Sequence, residues 1–310
     1  YYATYTVIGS VGNNLLNFIR LPHLIKFQTL KFAALDPLRH LKPALRIFML
    51  NITTSIYVNL DSVMLGFIRG DAAVGYYTAA SKLTKIILSV ATSLGTVTLP
   101  RLSNLFELGQ LEQFRQLAQK TMDFILTLCF PLMTGVIILA PALINILSGC
   151  SYEPAVITLQ ILSPIIVIIA ISSITGIQIL YPQGKENIVI ISTLIGAIVN
   201  FTINMILIPR FAQNGAAFAT VIAETCVTLV QLVIGRRFIP VKIVSRNLLI
   251  TIIGTILVGI CCIFIANHVA NDILSILLSA ICSIPIYYVF LLVCRHTLTV
   301  ELTNTILKRR

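Results

Sequence analysis

The sequence predicts an all-α polytopic membrane protein. Of its 310 residues, 57% are hydrophobic and only 11% are charged. Soluble domains carry about 25% charged residues. The mean hydropathy is +0.95. The apolar residues gather into nine stretches, at 1–20, 43–68, 72–99, 121–147, 154–180, 187–208, 213–235, 247–267 and 272–294. Each is long enough to cross a hydrocarbon core of roughly 30 Å at about 1.5 Å per residue.

The connections between these stretches support the count. The first, 20–46, holds Arg20, Lys26, Lys31, Arg39, Lys42 and Arg46. Every second connection after it is also cationic. These segments and the tail hold 18 of the 22 Lys and Arg, whereas the intervening loops hold only Arg69 and Arg210. This is the positive-inside pattern, and it places the N-terminus outside and the C-terminus in the cytoplasm. The net charge of +11 is spread over loops and not gathered into a patch, which excludes a nucleic-acid partner. An outside N-terminus that opens on Tyr1 and Tyr2, with no initiator Met or basic n-region, is read as the C-terminal portion of a longer transporter.

The seven cysteines include no C-x-x-C, and the four histidines are scattered at loops and span ends. Neither a disulfide framework nor a metal site is expected. The outer loops, 69–71, 148–153, 209–212 and 268–271, are too short to fold into a domain.

Two adjacent spans carry polar faces. On 43–68, Asn51, Thr54, Ser55, Asn59, Asp61 and Ser62 share one helical arc. On the next, Gly75, Thr78, Lys82, Lys85, Ser89, Thr92 and Thr96 follow a 3,4 spacing and share one face. A charge at a helix centre costs roughly 2.5–3.5 kcal/mol to insert, so the two lysines call for a use. Three readings stay open: an ion pair with Asp61, snorkelling towards the interface, or a cavity wall for an anionic ligand. Weaker stripes hold Thr193, Gly196, Asn200 and Asn204, then Ala217, Thr220, Glu224 and Gln231. Glu224 lies near mid-membrane. It is a candidate for coupling to a proton or sodium gradient, or else a hydrogen-bonded interhelical group. Gln160 and Gln178 are read as packing groups, and Asp123 as solvated at the cytoplasmic end of its span.

The run from Asn51 to Leu83, NITTSIYVNLDSVMLGFIRGDAAVGYYTAASKL, resembles the start of the C-terminal lobe of Wzx-type polysaccharide or O-antigen flippases. These belong to the MATE-like multidrug/oligosaccharidyl-lipid/polysaccharide exporter superfamily. LPRLSNLF at 99–106 and NGAAFATVIAE at 214–224 are similar to it too. The resemblance implies that 1–20 is the last helix of an N-terminal lobe and 21–42 a cytoplasmic linker. It makes 43–238 a six-helix C-terminal lobe, and 239–310 two accessory helices with a cytoplasmic tail. It further implies a flippase of undecaprenyl-pyrophosphate-linked oligosaccharide units in the bacterial cytoplasmic membrane, working by alternating access. Its partners would be that lipid-linked oligosaccharide, membrane lipids and the polysaccharide polymerase machinery. No bond is made or broken, so no catalytic residue and no cofactor are expected. The candidate cavity-lining residues are Asn51, Thr54, Asn59, Asp61, Lys82, Lys85, Ser89 and Thr92. A drug or cation antiporter of the same fold would require a net acidic cavity. A membrane glycosyltransferase, polymerase or ligase would require a long outer loop carrying its chemistry.

Overall fold

The computed structural model describes residues 59–307 and, within the first span, residues 9, 11–13 and 15, which are helical. The chain divides into two compact units, 1–56 and 57–310, and all further elements lie in the second. No strand occurs among the described residues.

Helix α1 covers 59–69 and ends at Gly70, whose φ of 83° reverses the chain. A side chain at that angle is strained, and glycine is not. Helix α2 runs Asp71–Glu107 and passes through Pro100. Helix α3 spans Leu111–Ser148 and contains Pro131 and Pro141. Segment 101–120 forms the end of α2 and the start of α3, which meet at Gly109 with φ 70°.

A 3₁₀ turn, Cys150–Tyr152, leads to α4 (Ala155–Leu162) and α5 (Ile165–Ser173). The break between them falls at Ser163 and Pro164, because proline removes a ladder donor. A π-helical stretch, Ile174–Leu180, continues α5.

Helix α6, Glu186–Ile234, is two arms joined at Ala212, where φ is 48° and ψ is −128°. The arms are antiparallel. The Gln231 Nε2 donates to the Ser192 Oγ at 3.3 Å, and Gly196 faces Val227. Gly215 faces the backbone of Leu207. A Cβ on Gly196 would lie 2.3 Å from the Val227 Cγ2. Gly196→Ala is therefore expected to destabilise by about 1–3 kcal/mol through overpacking. Adding Val227→Ala should return most of that loss. Thermal unfolding of the detergent-solubilised protein checks both.

Helices α7 (Arg246–His268) and α8 (Asp272–Val293) are capped by Ser245 and Asn271, which accept from Leu248 N and Leu274 N. Small residues bring them close to each other and to α3. Gly254 sits under Tyr287 and Phe290, and Gly259 under Thr134 and Ile138. Helix α9, Thr297–Leu307, closes the described chain. Among the described residues, five helical stretches are long and apolar enough to cross a membrane: α3, α4 with α5 and the π stretch, α6, α7 and α8. Helix α2 has the length, at 37 residues, but its polar stripe lowers its hydropathy.

Asp123 is buried, contrary to the solvated position expected from sequence. Gln119 Nε2 and Asn247 Nδ2 donate to its two oxygens at 2.9 and 2.7 Å, which ties α3 to the start of α7. His296, between α8 and α9, is fully buried beside this group, and its Nε2 lies 3.4 Å from the Thr127 hydroxyl. Burial holds its imidazole below the ordinary value of 6.5, with the Asp123 charge pulling the other way. A depressed imidazole contributes stability above the unfolded value and loses it as pH falls. Acidification below about 6.5 is thus expected to lower the unfolding temperature. His296→Gln should flatten that dependence in a thermal scan across pH.

Candidate functional site

Helix α2 separates two chemistries on opposite faces. Ala73, Tyr77, Ala80, Leu83 and Thr84 are buried against the bundle. Lys82, Lys85 and Ser89 are exposed, beside Ile86 and Val90, which are 59% and 57% exposed. The Ser89 hydroxyl donates to the Ile86 carbonyl at 2.7 Å, and Thr92 donates to the Leu88 carbonyl at 3.0 Å. Each hydroxyl thus spends its proton on its own helix and keeps lone pairs for a ligand. Lysines, hydroxyls and apolar carbons on one open face suit an amphiphile with an anionic head. Asn59 is exposed at the start of the described part of α1. Asn51, Thr54 and the side chain of Thr96 lie outside the described residues.

Asp61 differs from its expected place on a cavity wall. It is only 8% exposed, and its partners are neutral donors from two other helices. Tyr77 Oη donates to its Oδ2 at 2.6 Å and Thr220 Oγ1 at 3.0 Å, while Asn204 Nδ2 donates to its Oδ1 at 2.6 Å. Asn204 also donates to the Asn200 Oδ1 at 3.0 Å. A carboxylate supplied with three donors is satisfied inside the bundle, so the proposed pairing with Lys82 is not what stabilises it. The network binds the α1–α2 hairpin to both arms of α6. Arg69 repeats the tie at the turns, donating from Nε to the Ile208 carbonyl at 3.3 Å and from Nη2 to the Pro209 carbonyl. The similar sequences RGDAAVGYYTAA and RFAQNGAAFAT thus open hairpins that pack side by side.

Glu224 is half-buried and lines a pocket of about 430 Å³. Thr92 from α2, Ser172 and Ser173 from α5, and Thr193 and Gln231 from α6 share that lining. Gln231 is held from three sides. Its Oε1 accepts from Thr175 at 2.8 Å and Ser172 at 3.3 Å, and its Nε2 reaches Ser192. Gln160 and Gln178 act as packing groups, Gln160 donating to the Ile137 carbonyl and Gln178 accepting from Thr98. No cluster of three or more His, Cys, Asp or Glu suited to a metal occurs among the described residues.

Tyr77 is the site residue that sequence reasoning passes over. It lies on the apolar face of α2, away from the lysines. The available signal is that a buried tyrosine hydroxyl needs a partner, and Asp61 is the nearest polar group across the hairpin.

Residues 4–157 match the polysaccharide biosynthesis protein family. An uncharacterized membrane protein of Methanocaldococcus jannaschii is 29% identical over 229 residues, covering 74% of this chain and 45% of that protein. A putative O-antigen transporter of Escherichia coli K12 is 27% identical over 208 residues, covering 64% and 48%. The chain resembles O-antigen transporters and flippases of polysaccharide biosynthesis. Its fold matches the lipid II flippase MurJ in an inward closed conformation, with a TM-score of 0.69 at 17% identity over 81% of this chain and 54% of that one. The chain spans about half the length of the curated relatives it matches. Its long apolar helices make it a multi-pass membrane protein, and its named relatives include a putative O-antigen transporter of Escherichia coli K12 and the lipid II flippase MurJ of Bacillus subtilis.

Proposed function

We propose that this chain supplies one wall of a transporter that moves undecaprenyl-pyrophosphate-linked oligosaccharide units across the bacterial cytoplasmic membrane by alternating access. The observation that carries this is the exposed face of α2, where Lys82 and Lys85 stand beside Ser89 in a flippase-like fold. Flipping such a lipid takes a charged pyrophosphate and a polar glycan through hydrocarbon. Two ammonium groups lower that barrier through charge-assisted hydrogen bonds to phosphate oxygens. The prenyl tail stays in lipid throughout, so the wall needs apolar carbons beside the charges, as Ile86 and Val90 provide. The alternation of basic loops supports a cytoplasmic C-terminus. The glycan delivered outside is then available to polymerase machinery.

The test uses the full-length protein that contains this chain, reconstituted into liposomes with a fluorescent prenyl-pyrophosphate glycan. The expected result is protein-dependent loss of label to a membrane-impermeant quencher on the opposite face. Transport of cationic drugs with no movement of the lipid-linked glycan would sink the reading.

A further inference from the structure

The connection between α6 and α7, residues 235–245, joins two membrane-crossing helices, so it lies at a bilayer surface. It is not a slack tether. The Gln119 side chain grips the Lys242 backbone twice. Its Oε1 accepts from the Lys242 N–H at 2.7 Å, and its Nε2 donates to the Lys242 carbonyl at 3.0 Å. The Gln183 Nε2 donates to the Phe238 carbonyl at 2.8 Å, and the Lys185 ammonium lies 4.7 Å from the centre of the Phe238 ring. Ile239, Val241 and Ile243 pack on the bundle core. The Ser245 side chain then caps α7.

The residues between these anchors are left outside. Lys242, Val244 and Arg246 are exposed, Val244 to 81%. An open valine between two cations, at the start of a spanning helix, has the two halves of an interfacial contact. The valine offers carbon to the acyl boundary, and the cations offer charge to phosphate. Arg236 and Arg237 are exposed at the other end of the connection. Residues 235–246 thus hold four cations and no carboxylate, and among the described residues none of the four is in an ion pair. Asp123 and Glu301 are engaged elsewhere: Asp123 is buried and accepts from Gln119 and Asn247, and Glu301 pairs with Lys120 at 2.8 Å. Glu186 opens the first arm of α6, which by the register of the arms puts one exposed carboxylate at the Arg237 end. The Lys242–Arg246 end therefore carries the stronger attraction for an anion. Segment 101–120 differs, because Arg101, Arg115 and Lys120 are interleaved there with Glu107 and Glu112.

We propose that the α6–α7 connection binds the headgroup of an anionic phospholipid, with Lys242 and Arg246 on its phosphate and Val244 among the acyl carbons beneath. The Arg246 guanidinium matches two phosphate oxygens at once, and Lys242 adds a point charge. A backbone already fixed by Gln119 and Gln183 presents these groups without an ordering cost, which separates a site from diffuse charge. A soluble phosphate meets the same cations but gains nothing from Val244, so the lipid is the favoured ligand. The proposal uses the membrane position of α6 and α7 and is independent of the transport reading.

The test uses the full-length protein that contains this chain, in detergent, titrated with phosphatidylglycerol or phosphatidylcholine. Native mass spectrometry counts the bound lipid. Phosphatidylglycerol should bind more tightly than phosphatidylcholine, and added salt should narrow the difference. Lys242→Gln combined with Arg246→Gln should weaken phosphatidylglycerol about ten-fold and leave phosphatidylcholine unchanged. Gln119 holds the backbone of residue 242 and not its ammonium, so the connection keeps its fold in this variant. Val244→Ser should weaken phosphatidylglycerol with no change of charge, and Lys242→Arg combined with Arg246→Lys should retain binding. Arg101→Gln combined with Arg115→Gln is the control for diffuse charge and should change nothing. Equal weakening in that control, or unchanged affinity when Lys242 and Arg246 are replaced by Gln, overturns the proposal. Displacement of the lipid by glycerol phosphate at equal concentration also overturns it, because the ligand would then be a free phosphate.

Discussion

Asp61→Ala is expected to be the most destabilising single substitution in the described part of the chain. The carboxylate accepts from Tyr77, Thr220 and Asn204, of which Tyr77 and Asn204 are buried and Thr220 is half-buried. Removing it leaves them only their secondary acceptors, the Thr220 hydroxyl for Tyr77, the Ala216 carbonyl for Thr220 and the Asn200 Oδ1 for Asn204. Hydrogen bonds to a charged group contribute about 1.5–3 kcal/mol each, and a buried donor left unmatched costs about 1–3 kcal/mol. Partial relaxation makes the sum smaller than three such contributions, so a loss of about 3 kcal/mol or more is expected. That is a large share of the stability of an ordinary domain, roughly 5–15 kcal/mol. The unfolding temperature in detergent should fall and the amount of protein in the membrane should drop. Asp61→Asn keeps one acceptor oxygen and should lose about half as much. Tyr77→Phe removes a single donor and should lose least. An Asp61→Ala protein with unchanged melting would show that the network does not hold the two hairpins together.

The same network shows where sequence reading succeeds and where it stops. Spans, hairpins and loop lengths are legible because hydrocarbon leaves few backbone options, and charge alternation marks the turns. Gly70, Gly149 and the reversal at Ala212 all fall in loops foreseen from the sequence. The polar face of α2 is legible too, because 3,4 spacing survives any arrangement of neighbours. What a face meets is a different matter. Asp61 belongs to the polar arc of its own helix by periodicity, yet it turns inward because Asn204 and Thr220 arrive from residues 143 and 159 positions away. Asp123 is similar: its place at a span end suggests water, but Asn247 and Gln119 enclose it. Periodicity assigns a side chain to a face, and packing assigns the face to a partner. Glu224 sits between these cases. Its mid-span depth is readable, whereas the hydroxyls around it come from α2, α5 and the first arm of α6.

The largest functional effect is expected from replacing both lysines of α2 with glutamine in the full-length protein. Each ammonium is exposed on the wall assigned to the carrier, and each is worth about 1.5–3 kcal/mol in a charge-assisted bond to phosphate. Loss of one should reduce export roughly ten-fold or more, and loss of both should reduce surface polysaccharide to background. Arginine at both positions keeps the charge and a phosphate-matching fork, and should retain much of the activity. The insertion energy moves the other way. Removing a charge from a helix centre saves roughly 2.5–3.5 kcal/mol, so the glutamine variants should reach the membrane at least as well as the wild type. Low export at normal or raised protein level therefore isolates substrate handling from folding. The competing roles predict a different pattern. A lysine kept to neutralise Asp61 is unnecessary, because that carboxylate already has three donors. A lysine that only snorkels would leave export intact when replaced. Measured surface polysaccharide, normalised to membrane protein, separates these outcomes: unchanged export in the double variant would remove the lysines from the transport pathway.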